Sequence, residues 1–243
     1  MIKVEQISKS FKDTKVLNKI SFDIKKGDFT AVMGPSGSGK STLLYSVSGM
    51  DHISEGSVIF NDVKITKLQE SELSKFRLLK MGFVFQNAQM LKNLTIFDNI
   101  ILPGLVAKKE SPEKIRKRAS ELMEQMEIAG LENRDIKEVS GGQLQRASIC
   151  RAMINHPEIL FLDEPTGALN SEATDQVLDI LTLLNRAGMT IMMVTHDSRV
   201  AAKAKKILYI SDGEIAACKE FKTDTNRVLD LDNWLKGLRS LSK

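Results

Sequence analysis

Apolar and polar positions alternate along the first part of the chain, and short apolar runs and helical spacing follow. Two alternating segments, Lys3–Ile7 and Val16–Ile24, predict half-buried strands. The apolar run Phe29–Met33 predicts a buried strand that ends directly at Gly34, and Lys40–Ser48 has helical spacing. A strand, a glycine-rich loop and a helix in this order form the setting that a phosphate-binding loop requires.

Strand and helix patterns then alternate along most of the remaining sequence. Further strands are predicted at 57–60, 82–85, 159–163, 190–195, 206–211 and 214–217. Asp212-Gly213 between the last two strands suits a type I′ hairpin turn. Helices are predicted near 71–79 and at 111–127, 144–154 and 171–186. Helical spacing dominates between about 87 and 155, which predicts an α-helical subdomain inserted into an α/β core.

These patterns predict an α/β core with an inserted α-helical subdomain. Residues 1–217 are assigned to this domain, and residues 218–243 to a helical C-terminal extension. Val228, Leu231, Leu235 and Leu238 have helical spacing, with Trp234 beside them. This apolar face suits docking onto the chain's own core, and a partner-binding or membrane-surface helix remains the alternative.

Composition and charge exclude several classes of protein. Among the 243 residues there is no run of about 18 apolar positions, so no membrane span is expected, and the N-terminus lacks the apolar stretch of a signal peptide. The net charge of +4 comes from scattered basic residues with few aromatics among them, so no nucleic-acid partner is expected. The two cysteines, Cys150 and Cys218, have no metal-like spacing and are expected to be reduced thiols.

The segment Gly34–Ser41 reads GPSGSGKS and matches the GxxxxGK(S/T) pattern. Its glycines permit backbone conformations that turn successive amides toward one anion, and the following helix adds its N-terminal dipole. Lys40 is predicted to bridge the β- and γ-phosphates of ATP, and Ser41 to coordinate Mg²⁺. The predicted nucleotide contacts in this loop are Ser36, Gly37, Ser38, Gly39, Lys40, Ser41 and Thr42.

Polar side chains follow three of the predicted strands. Asp163 and Glu164 end an apolar run, and adjacent side chains leave a strand in opposite directions, so Asp163 can hold Mg²⁺ while Glu164 activates water. Gln86 follows the strand at 82–85 and is a candidate to bind the metal or the attacking water. The alternative interpretation is a surface glutamine without a role in the site. His196 follows the strand at 190–195 and can reach a γ-phosphate, although a structural role is the alternative.

Two further features complete the candidate site. Phe11, between the first two strands, can stack on adenine or belong to the core. Ser140-Gly141-Gly142-Gln143 precedes a predicted helix and offers a second set of amides to an anion. Because the first loop already surrounds the phosphates of one nucleotide, the second set predicts a dimer in which ATP lies between two chains.

Taken in order, these motifs resemble those of the ATP-binding cassette ATPases, the motor subunits of ABC transporters, over about residues 2–217. The resemblance implies an α/β fold, with a P-loop NTPase core, an N-terminal antiparallel β-subdomain and an inserted α-helical subdomain. It also implies an A-loop at Phe11, a Walker A motif at Gly34–Ser41 and a Q-loop at Gln86. It also implies a signature at Ser140–Gln143, a Walker B motif at Ile159–Asp163 with Glu164 as the catalytic base, and a switch histidine at His196. Two chains are then expected to pack head to tail, each signature closing over the other chain's nucleotide.

Two departures from the family pattern stand out. The D-loop usually ends in aspartate, but here it ends in Asn170, which keeps the hydrogen-bonding shape and loses the charge. This change is expected to weaken contact with the partner's Walker A loop and to slow hydrolysis. Leu144 replaces a more usual polar residue after the signature, with little expected effect.

The stretches Gly82–Gln86 and Asp163–Leu169 are similar to those of the lipoprotein-releasing, macrolide-export and bacitracin-resistance ATPases. The Thr-Gly-Ala-Leu form and the C-terminal extension favour the antimicrobial-peptide resistance group. The resemblance implies a transmembrane permease partner, a homodimer, a sensor kinase reached through the permease, and a cytoplasmic position at the inner face of the cell membrane. A lipoprotein-release or macrolide-type efflux ATPase, or a regulatory module that signals to a sensor kinase, remains the alternative.

Overall fold

The computed structural model describes residues 1–221 and 226–241, and the side chains only up to residue 238. The predicted extension includes residues 222–225 and 242–243, which lie outside the described residues. An antiparallel sheet of four strands has the order β2-β1-β4-β5. Its strands are β1 (Ile2–Phe11), β2 (Thr14–Ile24), β4 (Glu55–Phe60) and β5 (Val63–Lys64).

A second, six-stranded sheet has the order β10-β9-β3-β8-β7-β6, and its strands are parallel except for β10 at one edge. The strands are β3 (Phe29–Met33), β6 (Met81–Phe85), β7 (Ile159–Asp163), β8 (Thr190–Val194), β9 (Lys206–Ser211) and β10 (Glu214–Glu220). Asp212 and Gly213 both have positive φ, 50° and 76°, as a type I′ turn requires. The predicted hairpin is confirmed, but its second strand extends beyond residue 217, to Glu220.

Eight helices connect or flank the strands in the described part of the chain. They are α1 (Lys40–Val47), α2 (Glu70–Lys80), α3 (Ile96–Ala107), α4 (Pro112–Gln125), α5 (Gly141–Met153), α6 (Ser171–Arg186), α7 (Ser198–Ala201) and α8 (Arg227–Leu241). The helices α3, α4 and α5 all lie between β6 and β7. This part of the chain is the one for which helical spacing predicted an inserted subdomain; the exact domain boundaries stay a prediction.

The six-stranded sheet separates two apolar cores. Along β7, Leu160 and Leu162 face the core that also contains the helices between β6 and β7, while Ile159 and Phe161 face the antiparallel sheet and α1. All five residues of β3 are buried as well. Strands buried on both faces read as continuous apolar runs, which explains why the sequence pattern locates β3, β7 and β8 so closely.

The C-terminal helix α8 docks onto the chain's own core. Leu231 and Leu235 are buried in the core on the side of α6, and Trp234 meets Tyr209 of β9 edge to face, with ring centroids 6.2 Å apart. Val228 stays exposed. Within the described residues, no helix combines the length and apolarity needed to cross a membrane.

Candidate active site

The phosphate loop follows β3 directly and ends where α1 begins. A Cβ atom at Gly34 would lie 2.0 Å from the backbone oxygen of Ile210, so no side chain fits at this position. Gly39 has φ of 96° at the N-terminal cap of α1, a left-handed conformation that favours glycine. The glycines therefore let the loop pass close to β9 and then turn into the helix.

Two side chains of this loop turn toward its interior. Lys40 Nζ donates to the carbonyl oxygens of Gly34 at 3.1 Å and Pro35 at 2.7 Å. Partial burial lowers the pKa of Lys40, while the nearby Glu164 and Asp163 carboxylates act in the opposite direction. Ser38 Oγ is buried and finds no hydrogen-bond partner among the described residues. An ammonium that donates to carbonyl oxygens, beside a hydroxyl without a partner in the described part of the chain, suits a loop that receives a polyanion.

Asp163 accepts a hydrogen bond on each of its carboxylate oxygens. Ser41 Oγ donates to Oδ1 at 2.9 Å, and the hydroxyl of Tyr45 donates to Oδ2 at 2.6 Å. Both donors belong to α1, whereas Asp163 ends β7. The end of the strand and the first turn of the helix therefore meet beside Lys40. Oxygen atoms from a carboxylate and a hydroxyl are suitable ligands for Mg²⁺.

Glu164 and His196 lie together just beyond the ends of two neighbouring parallel strands. The register pairs Asp163 with Val194, which places the residues that follow β7 next to those that follow β8. His196 Nδ1 lies 2.9 Å from Glu164 Oε1, in hydrogen-bond contact. The Glu164 side chain is 19% exposed and that of His196 is 71% exposed. The imidazole therefore approaches the carboxylate from the solvent side.

The backbone of Glu164 is in a left-handed conformation with φ of 49°, which is uncommon for a residue other than glycine. Its amide donates to the oxygen of Val194 at 3.0 Å, and its carbonyl accepts from the amide of Gly167 at 3.0 Å. These two bonds hold the conformation in place. Such strained positions concentrate at functional sites, where the surrounding structure maintains them.

Gln86 follows β6 and lies on the same side of the site. The register pairs Phe85 with Asp163, and a Cβ atom at Gly167 would lie 2.9 Å from Gln86 Nε2. Gln86 therefore contacts the turn that follows Glu164, and its side chain is otherwise exposed. The structure thus brings Lys40, Ser41, Gln86, Asp163, Glu164 and His196 to the carboxyl ends of the parallel strands.

The segment Ser140–Gln143 lies in a different setting. Ser140 caps α5 and forms a reciprocal capping box with Gln143, at 3.2 Å and 2.8 Å. The prediction that the helix begins at Leu144 is wrong, because this capping makes Gly141 and Gly142 the first turn of α5. None of the described hydrogen bonds of Ser140 or Gln143 goes to the phosphate loop of the same chain.

Phe11 is the last residue of β1 and is paired with Thr14 of β2. Its side chain is 50% exposed, which contradicts the alternative of a core phenylalanine. The ammonium of Lys9 lies over the ring, 4.6 Å from its centroid. Phe11 therefore presents an exposed aromatic ring at the turn between the first two strands.

Comparison with known proteins agrees with this geometry. The family model described as ABC transporter matches residues 17–167. The chain belongs to the ABC transporter ATPase family. It superimposes on the dimeric structure of MJ0796, a bacterial ABC transporter cassette, with a TM-score of 0.85 and 37% identity, covering 92% of this chain and 100% of that one. The same cassette in a post-hydrolysis state bound to ADP and Pi gives a TM-score of 0.85 at 36% identity, with the same coverage.

Curated relatives of the ABC ATPase include both short and long proteins. This chain is 42% identical over 219 residues to the ABC transporter ATP-binding protein YxdL of Bacillus subtilis, covering 88% of this chain and 85% of YxdL. It is 41% identical over 215 residues to the macrolide export ATP-binding/permease protein MacB of Campylobacter jejuni, covering 88% of this chain and 33% of MacB. The chain thus spans about a third of the length of MacB. Family and structural neighbours together establish that this cassette binds and hydrolyses ATP.

Three residues of the ABC ATPase site escaped the sequence prediction. Tyr45 reaches Asp163, and the only signal was its place four residues after Ser41, on the same face of α1. Gln145 Nε2 donates to the oxygen of Phe85 at 3.0 Å, and Arg151 donates to the oxygens of Ala88 at 2.7 Å and Gln89 at 2.8 Å. The helix that begins with the signature therefore holds the segment around Gln86.

Proposed function

We propose that this ATPase drives a membrane permease, and that the transporter confers resistance to antimicrobial peptides of the bacitracin type or exports them. The observation that carries the motor role is the convergence of Ser41, Asp163, Glu164 and His196 at one edge of the sheet. The peptide cargo rests on the resemblance of Thr166–Leu169 and of the C-terminal extension to that group. Macrolide efflux is the second candidate, because relatives with 41% identity are named for macrolide export.

The residues of the phosphate loop fit a nucleotide. Lys40 and the amides of Ser36–Thr42 would hold the phosphates of ATP, and Phe11 would stack on its base. Ser41, Gln86 and Asp163 would hold Mg²⁺, since their oxygen atoms are the ligands this ion prefers. When bound, Mg²⁺ neutralises the charge that develops on the phosphate oxygens.

Glu164 is the proposed catalytic base. Its carboxylate is largely covered by protein and is held on Oε1 by His196, so the second oxygen stays available to orient water and to accept its proton. Because the backbone of Glu164 is left-handed, its side chain leaves the chain in a different direction from that of Asp163. The two adjacent carboxylates can therefore hold the metal and activate water without competing.

A second copy of the chain is the proposed partner at the nucleotide. Ser140 caps α5, so the amides of Gly141 and Gly142 in its first turn carry the positive end of the helix dipole. The dimeric structures of a cassette 37% identical to this chain support the head-to-tail assembly. In that assembly the signature of each chain closes over the nucleotide of the other, and hydrolysis releases the contact.

A groove between the core and the inserted helices is the proposed site of permease docking. Its volume is about 270 Å³, and it is lined by Arg77 of α2, Phe83 and Phe85 of β6, Pro103 of α3 and Arg151 of α5. It ends beside Gln86, the residue that follows Phe85. A short helix of the permease inserted there would move the segment that contributes Gln86 to the active site.

Three apolar side chains that follow Gln86 differ in their exposure. Met90 is 9% exposed and belongs to the core, so it is not available to a permease. Leu94 is half-buried, whereas Leu91 is 52% exposed. The backbone of Leu91 is fixed by the buried Asn99, whose Oδ1 accepts from its amide at 2.7 Å. Leu91 is therefore a proposed apolar contact of the permease.

Through its permease the ATPase would lie at the inner face of the cell membrane, and a sensor kinase would be reached through the same permease.

The proposed cargo is tested by deletion of the gene from the strain that carries it, followed by complementation with the wild type or with Glu164→Gln. We expect only the wild type to restore resistance to bacitracin. Restored resistance to a macrolide alone would select the second candidate, and no change with either drug would contradict both.

A further inference from the structure

The side chain of Tyr45 has an unusual partner for an aromatic residue on a helix of the core. Its hydroxyl donates to Asp163 Oδ2 at 2.6 Å, across 118 positions of sequence. Hydrogen bonds from a neutral hydroxyl to a carboxylate are shorter and stronger than those between neutral groups. The bond therefore restrains the one carboxylate that the proposed function assigns to Mg²⁺.

The ring of Tyr45 also packs against another aromatic ring. It lies against Phe85, with centroids 6.5 Å apart and an interplanar angle of 52°. Phe85 in turn stacks on Phe83 at 6.3 Å, and Phe83 stacks on Phe161 of β7 at 5.6 Å. A row of aromatic rings on β6 and β7 thus limits the movement of the ring, which keeps the hydroxyl directed at Asp163.

The two oxygens of Asp163 face different donors. Tyr45 occupies Oδ2, and Ser41, which is the other proposed metal ligand on α1, faces Oδ1. A carboxylate left unrestrained can rotate or bind through both oxygens. With Oδ2 held by a phenol, only Oδ1 is directed to the space beside Ser41.

We infer that Tyr45 is a positioning residue for metal binding: it holds Asp163 Oδ2 so that Oδ1 alone serves Mg²⁺, directly or through water. This inference rests on the proposed assignment of Asp163 to the metal. The hydroxyl of Tyr45 bonds to Asp163 and not to a group of the phosphate loop. Its removal therefore weakens the binding of the metal and leaves the binding of nucleotide without metal unchanged.

The full chain loaded with ADP and titrated with Mn²⁺ gives the test, because ADP avoids turnover and free Mn²⁺ is measured by electron paramagnetic resonance. Tyr45→Phe keeps the ring and removes the hydroxyl. We expect about a tenfold loss of Mn²⁺ affinity, as for a hydrogen bond to a charged group. ADP affinity in EDTA stays within about twofold of wild type, since the phosphate loop is untouched. Tyr209→Phe changes the only other tyrosine and is the matched control.

Asp163→Asn separates the two possible failures. If Asp163→Asn weakens Mn²⁺ binding and Tyr45→Phe does not, the role of Tyr45 is overturned and the metal assignment stands. If Asp163→Asn leaves Mn²⁺ binding unchanged, the metal assignment itself fails. Circular dichroism melting of each variant without nucleotide identifies any variant that does not fold.

A second measurement does not require the Tyr45 variant to fold. In Tyr209→Phe, Tyr45 is the sole tyrosine, so the ultraviolet resonance Raman spectrum reports its hydrogen bond alone. We expect the signature of a phenol that donates to a carboxylate both in the free chain and with Mg²⁺ and ADP. Loss of that signature when Mg²⁺ and ADP are added would overturn the inference.

Discussion

Gly142 packs directly against Ala173, because a Cβ atom at Gly142 would lie only 2.8 Å from the Cβ atom of Ala173. The first turn of α5, which carries the signature, is therefore pressed onto the first turn of α6. Asn170 caps α6, and its Oδ1 accepts from the amide of Ala173 at 2.9 Å. The signature and Asn170 thus form one continuous surface, on which the proposed second chain would bind.

Asn170→Asp tests whether the missing charge at this surface slows hydrolysis. Aspartate caps a helix as well as asparagine does, and its charge suits the N-terminus of α6, so we expect the fold to be unchanged. We expect the ATPase rate of the permease complex to rise about two- to fivefold, the size of one exposed charge contact. The exposed Asn133→Asp is the matched control. If Asn170→Asp left the rate unchanged, the missing charge would not account for slow hydrolysis.

Glu164→Gln tests the catalytic base and the dimer together. The amide keeps an acceptor for His196 but cannot take a proton from water, so we expect turnover to fall by about 10²- to 10⁴-fold. Because nucleotide binding survives, the ATP-bound dimer should accumulate and be visible by size exclusion with light scattering. The exposed Glu124→Gln, on α4, should hydrolyse ATP and elute as the wild type does. A Glu164→Gln variant that stays monomeric with ATP would argue against the composite site.

Lys40→Ala tests the contribution of the ammonium to phosphate binding. Among the described residues, Lys40 donates hydrogen bonds to carbonyl groups of its own loop alone, so we expect a small loss of stability and a large loss of affinity. Removing hydrogen bonds to a charged ligand should weaken ATP binding at least about tenfold, and more when both phosphates lose a contact. Isothermal titration calorimetry measures the loss, and the exposed Lys67→Ala is its control. Binding at the wild-type level would contradict the assignment.

The local sequence pattern predicted many elements of the parallel core, and two of them show why. Strand β7 is apolar and buried up to its last residue, Asp163, and α6 has a capping residue, strong amphipathic spacing and a basic last turn. The predicted bounds of both elements, Ile159–Asp163 and Ser171–Arg186, agree with the structure. Although β7 pairs with strands that are remote in sequence, the position of both elements is indicated by their own residues.

The misses depend on contacts that local pattern does not contain. Glycines disfavour helices, so Gly141 and Gly142 were placed before α5, yet the approach of Ala173 is what excludes a side chain at Gly142. The helix α3 was not delimited, because it contains Pro103 and lacks a polar face. Tyr45 was missed because its partner is 118 residues away. The sequence indicated the residue type at each candidate site position, but it did not indicate which residues these side chains contact.

Gln145→Leu tests the connection between the signature helix and the segment at Gln86. Gln145 is 2% exposed, and its amide is the donor to the oxygen of Phe85. Leucine has a similar size but removes this donor from the part-buried carbonyl, so we expect the free energy of unfolding in urea to fall by about 1–3 kcal/mol. The exposed Gln125→Leu, at the end of α4, should change it by less than about 0.5 kcal/mol. Equal stability of the two variants would contradict a structural role for this bond.

Alkaline pH should destabilise the protein through Cys150. Burial raises the pKa of this thiol to about 12, while a backbone hydrogen bond and the Arg146 charge oppose the shift. In the unfolded chain the thiol ionises near its ordinary pKa of 9.0. The neutral thiol therefore favours the folded state fully below pH 9, and this contribution is lost as the pH rises from 9 toward 12.

Between these values the loss approaches about 1.4 kcal/mol per pH unit for one proton. We expect the free energy of unfolding in urea to fall less steeply between pH 9 and 10.5 in Cys150→Ala than in the wild type. Comparing slopes removes the effect of the smaller side chain, which lowers stability equally at every pH. Cys218→Ala removes the exposed cysteine and should keep most of the wild-type slope. If Cys150→Ala kept the full slope, other groups would have to account for the alkaline loss of stability.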